Sequence, residues 1–182
     1  MIAKTAERKT GINEMLESVA FGITDGVICL FGIIVGVARA TSDPTAVIIA
    51  GVVGGIANAI GNSVGFFISQ STERAVQLHQ TDGEDNGLVH SEREVWMSGI
   101  SAFFATILAL IVLILPFFFL SIWQATAISF FTSMVLAFVL GGYVGRLESG
   151  RPLKSAVKYA LFTVFGAAVS YGVGELLAIW LH

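Results

Sequence analysis

Residues 18–70 carry two runs of more than 20 mostly apolar residues, SVAFGITDGVICLFGIIVGVARA and AVIIAGVVGGIANAIGNSVGFFISQ, separated only by TSDPT. At ~1.5 Å per residue, each run is long enough as a helix to cross a hydrocarbon layer of ~30 Å. A segment in that layer must satisfy its backbone groups internally, which a helix does. Ser42 or Asp43 can cap the second helix, and Pro44 suits its first position. The stretch predicts two antiparallel transmembrane helices joined by a short turn.

Further apolar runs at about 96–120, 123–145 and 153–181 join those at about 18–40 and 45–69. The expected fold class is all-α, a single membrane domain of five spans over residues 1–182. With 55% hydrophobic residues, 13% charged and a mean hydropathy of +0.82, the chain leaves no room for a separate soluble domain. Pro116 should kink or fray the end of the third span, Gly150 should close the fourth helix and Pro152 open the fifth. Residues 71–95 read as the one long polar connection. The opening MIAKTAERKTGINEM is too polar for a signal-peptide core, so the first span is expected to be retained, with helix from about Ile12.

Five spans place the N-terminus, the 71–95 connection and the 146–158 turn on one side. Nine of the ten basic residues lie there, and only Arg39 lies on the other. The positive-inside rule then predicts a cytoplasmic N-terminus and a C-terminus outside. Trp96, Trp123 and Trp180 fall near span ends, where interfacial anchors belong.

The few polar residues inside the first two spans fall together. Asp25 is 7 residues in from Ser18, ~10 Å deep; Asn62 is 8 residues before Gln70, ~12 Å deep from the same face; Asn58 is one turn deeper. At 100° per residue, Glu14, Gly32 and Gly36 each lie within about 20° of Asp25, with Cys29 and Gly22 flanking. Glycines at four-residue spacing have a plain reading as close helix–helix contacts. Asp25 differs, because an intramembrane carboxylate is costly and marks a pathway, relay or ligand residue, the alternative being a structural hydrogen bond. Asn58 and Asn62 serve equally well as ligands or as interhelical glue.

Glu175 is the other embedded acid, ~10 Å from the far boundary, and reads as an exit-side relay or as a side chain reaching the interface. His79, Asp82, Glu84, Asp85, His90, Glu92 and Glu94 crowd the polar connection, either as divalent-metal ligands or as a solvated acidic loop. The single cysteine excludes a disulfide framework, and no basic patch suggests nucleic acid. Phosphate-binding loop, zinc-protease motif and nucleophile elbow are all missing from the sequence, so the chain is read as no enzyme and as needing no cofactor.

The first span with its Asp25-Gly26 pair, the second span through ANAIGNSVGFFISQSTER, and the stretch GGYVGRLESGRPLKSAVKYALFTVFGAAVSYGVGELL resemble the vacuolar iron transporter/CCC1 family, in its short nodulin-like form. The resemblance implies a homodimer exporting cytosolic Fe²⁺ or Mn²⁺ between its two first helices, coupled to protons. Asp25 matches the family's embedded metal-binding Asp. Where the family usually has Met and then Gly-Glu in the second helix, this chain has Asn62 and Gly65-Phe66, and Asn58 replaces a common Asp. The 71–95 connection takes the place of a Glu-rich metal-binding domain. The expected metal set is therefore Asp25, Asn62, Asn58, Cys29 and Glu14, with Cys29 as a replacement soft ligand. Expected partners are the lipid bilayer, a second copy and the divalent ion. The membrane is the cell membrane in a prokaryote or a vacuole-like one in a eukaryote. Two alternatives stand beside this reading: a non-transporting assembly protein of the same fold, and a carrier of another small solute.

Overall fold

The computed structural model describes residues 2–80, 89–148 and 150–181, with side chains over 15–79, 89–146 and 150–180. Five helices follow one another: α1 (Ile2–Thr41), α2 (Pro44–Gln80), α3 (Glu92–Ile114), α4 (Ile122–Glu148) and α5 (Pro152–Leu181). No strand occurs among the described residues. All five helices are long and apolar enough to cross a membrane, and the chain is an integral membrane protein. After α3 the backbone tightens into a 3-10 turn, Leu115–Phe118, because Pro116 supplies no N–H and crowds the preceding turn.

Local chemistry sets the corners. Ser42 adopts φ +53° and donates its N–H to the Ala38 carbonyl at 3.0 Å, ending α1. Asp43 then caps α2, accepting from the N–H of Thr45 at 2.9 Å and of Ala46 at 3.3 Å, with Pro44 at the first helical position. Gly150, at φ +63°, closes the α4 corner as expected, and Arg151 N–H reaches the Gly145 carbonyl at 3.2 Å.

Helix α1 is central and packs against the other four. Leu30, Phe31, Ile34, Val47 and Leu113 form a fully buried core in the half nearer the α1–α2 turn. In the other half, α1 meets α3 almost backbone to backbone: a methyl on Gly22 would sit 2.6 Å from the Ala102 carbonyl oxygen. Gly32 faces the Ser170 hydroxyl of α5, and Gly36 the Ser170 carbonyl. Gly22, Gly32 and Gly36 of α1 thus meet α3 and α5 of the same protomer, since small residues let the chain's own helices close on them.

The 71–95 connection is much shorter than its polarity suggested. Residues 71–80 continue α2, and α3 begins at Glu92; 81–88 lie outside the described residues. Polar residues leaving a membrane continue a helix as readily as they break one. Ser91 and Glu94 form a capping box, with Glu94 N–H on Ser91 Oγ at 3.3 Å and Ser91 N–H on Glu94 Oε2 at 2.8 Å.

Candidate functional site

Three helices converge on Asp25. From α2, Asn58 donates its Nδ2 to Asp25 Oδ2 at 2.9 Å, and Asn62, one turn on, donates to the same oxygen at 3.0 Å. Asn62 Nδ2 also lies 2.9 Å from Thr106 Oγ1 of α3. The Thr106 hydroxyl, wholly buried, has the carbonyls of Ala102 at 2.9 Å and Gly22 at 3.1 Å as acceptors for its one proton. Gly22 therefore does two things: its missing side chain admits α3, and its carbonyl receives Thr106. In a medium without water, each of these polar groups needs a protein partner. The network supplies one to every member.

Amide donors suit a carboxylate oxygen, the stronger acceptor in a charge-assisted bond. Asp25 Oδ1 receives no hydrogen bond among the described residues, so half of the carboxylate is uncommitted. Asp25 also lines a cavity of about 730 Å³ with Glu17, Thr24, Phe66 and Tyr159. Among the described residues its lining holds two acids and no Lys, Arg or His. A carboxylate-bearing, low-dielectric cleft of this kind attracts cations and repels anions.

The predicted meeting of Asp25, Asn58 and Asn62 is observed. Cys29 does not join them; it lines a second cavity of about 610 Å³ between α1 and α5. Glu14 is in α1, its side chain outside the described residues. Among the described residues no group of three or more His, Cys, Asp or Glu is placed to hold a metal. Glu175 lies at the far end of the second cavity's helices, in an ion pair with Arg39, whose guanidinium is also 5.7 Å from the Tyr171 ring centre.

The acidic connection resolves into structural contacts. His90 Nε2 is 3.3 Å from Glu73, its N–H donates to Gln77 Oε1 at 2.9 Å, and Arg74 reaches the His90 carbonyl at 2.8 Å and Glu92 at 3.3 Å. His79 is exposed, and Asp82, Glu84 and Asp85 lie outside the described residues. Two groups escaped the sequence reading. Thr106 is a lone hydroxyl in an apolar run, a signal too common in membrane helices to single out. The Arg39–Glu175 pair was findable, since both residues sit near the ends of spans that point the same way.

A model of the VIT family matches the sequence over residues 16–95 and 80–175. VIT-like transporter 1b of Glycine max is 25% identical over 193 residues, covering 95% of this chain and 82% of that protein.

Proposed function

This chain belongs to the VIT family of membrane transporters, and on that footing we propose that it exports a divalent cation, Fe²⁺ or Mn²⁺, from the cytosol as a proton-coupled homodimer. The observation that carries the reading is Asp25: a carboxylate inside a span, on the wall of an acidic cavity, braced by amides from a second helix. A cation arriving at Asp25 competes with the N–H groups of Asn58 and Asn62. Turning either amide about its terminal torsion offers the carbonyl oxygen instead, converting a donor cradle into a ligand set of hard oxygens. The carboxylate charge then offsets lost hydration.

The open strip of α1 runs through Glu17, Phe21, Thr24 and Ile28, at the 4-3-4 spacing of a helix-pairing seam. A second copy laid on that strip would close the cavity and bring two Asp25 carboxylates together, where protons and metal compete for the same charge. The test is Mn²⁺ uptake into proteoliposomes with luminal pH followed in parallel. Uptake with opposing proton movement, lost in Asp25→Asn, is the expected result; uptake unchanged in Asp25→Asn would refute the assignment. The two amide hydrogen bonds that already hold Asp25 Oδ2 favour one second reading, a packing seam in a non-transporting assembly protein. Properly inserted protein that moves no Mn²⁺ or Fe²⁺ would establish that instead.

A further inference from the structure

Two cavities lie along α1, and a single residue lines both. The first extends from Leu16 to Ile28 and includes Asp25; the second extends from Ile28 to Thr41 and includes Cys29. Together they follow α1 through its whole apolar length. Helix α5 flanks both, through Tyr159 in the first and Gly166 onward in the second. Ile28 is the shared wall, three residues past Asp25, and it leans on α5. Its Cγ2 lies 3.4 Å from where a methyl on Gly166 would sit, so the side chain rests directly against a helix surface with no side chain of its own.

We propose that Ile28, seated on Gly166, is the gate between an entry vestibule holding Asp25 and an exit vestibule lined by Cys29, Gly32 and Ser170. This rests on the transport reading above. An apolar constriction excludes water and with it a hydrated ion, so a cation bound at Asp25 advances only when Ile28 leaves Gly166. The ligand site and the barrier are then adjacent but separate: Asp25 binds, Ile28 withholds passage. Gly166 serves the gate by letting α5 approach closely enough for one isoleucine to fill the gap.

The chain carries its own reporter. Cys29 is its one cysteine, next to Ile28 and lining the exit vestibule. A membrane-impermeant cationic thiosulfonate is added to either side of sealed, sidedness-sorted vesicles. Wild-type Cys29 should react only from the Thr41 side, and Ile28→Ala should raise its labelling from the Glu17 side about tenfold or more. Equal labelling from both sides in wild type, or no change in Ile28→Ala, overturns the gate. If Cys29 is too shielded to react at all, Val169→Cys in a Cys29→Ser background places the reporter across the same vestibule, with the same asymmetry required.

Labelling needs no transport, so it stands or falls apart from Asp25. A second measurement ties the two together. Ile28→Trp should cut Mn²⁺ uptake at least tenfold while leaving Mn²⁺-induced thermal stabilisation in place. Loss of stabilisation as well would make Ile28 part of the binding site and overturn its role as a gate.

Discussion

The amide nitrogen of Asn62 lies 3.0 Å from Oδ2 of Asp25, a contact that spans 37 positions and two oppositely directed helices. It joins the embedded carboxylate of the first span to a buried amide of the second. Such a bond is either the resting form of a cation site or the cement of a seam, and the two differ in how they respond to charge and metal.

Replacing Asp25 with Asn tests that difference. The change keeps an acceptor for Asn58 and Asn62 but removes the charge, so metal-free protein should melt no lower than wild type, and higher if the buried charge is a net cost. Wild type in Mn²⁺ at a hundred times its dissociation constant should gain ~2.7 kcal/mol, and Asp25→Asn should gain none. Scanning fluorimetry with and without Mn²⁺ reads both. Equal metal responses would remove Asp25 from the ligand set.

Thr106 acts through Asn62. Thr106→Val keeps the shape and removes the hydroxyl, leaving Asn62 with one acceptor in place of two and costing ~0.6–2 kcal/mol. Because the freed amide is less well aimed, Mn²⁺ should also bind more weakly, and Thr106→Ser should restore both properties. A stability loss with unchanged Mn²⁺ affinity would reduce Thr106 to a packing residue.

Gly22 on α1 and Gly61 on α2 should behave oppositely. Gly22→Val puts a side chain where a methyl already falls 2.6 Å from a backbone oxygen, and a backbone cannot step aside as a side chain can. The expected loss is ~1–3 kcal/mol. Among the described residues, nothing beyond its own helix turn lies within 4 Å of a methyl on Gly61. Gly61→Ala should therefore stabilise by ~0.5–1 kcal/mol through reduced backbone freedom. Chemical denaturation in detergent compares the two, and destabilisation by Gly61→Ala would reveal a second chain seated there.

Arg39 and Glu175 form a partly exposed pair, with side chains 29% and 36% accessible. In a double-mutant cycle, Arg39→Gln and Glu175→Gln should each destabilise, and together by less than their sum, with a coupling of ~1 kcal/mol or below. Uptake separates the two roles available to Glu175. Retained Mn²⁺ transport in Glu175→Gln marks a structural partner of Arg39, whereas lost transport with intact folding marks the exit-side relay.

Most of the architecture was legible because hydrocarbon imposes simple rules. Apolar length counts spans, and depth counting along an antiparallel pair puts Asp25 and Asn62 at one level with Asn58 one turn deeper, and both amides do reach Asp25. What failed had physical reasons too. Cys29 is one turn from Asp25 in sequence, yet that turn carries it past Ile28 and into the other cavity. Polarity at 71–80 marks departure from the membrane and says nothing about whether the helix ends, so α2 simply runs on. In sequence His90 and Glu94 read as metal ligands or as part of a solvated loop, whereas they supply the caps and partners that a helix start needs. Thr106 escaped because its role depends on the spatial neighbour Asn62, which no spacing within α3 discloses.

Only Ser42 and Asp43 lie between α1 and α2. A link this short has no slack, so one helix cannot slide along the other by even a residue, ~1.5 Å, without breaking the cap at Asp43. The alignment of Asp25 with Asn58 and Asn62 is thus secured by the covalent chain before any packing forms. No comparable tether binds α1 to α5, which are joined only through three intervening elements. In the gating proposed above, the hairpin would shift as one unit against α5, with Ile28 and Gly166 at the point of contact.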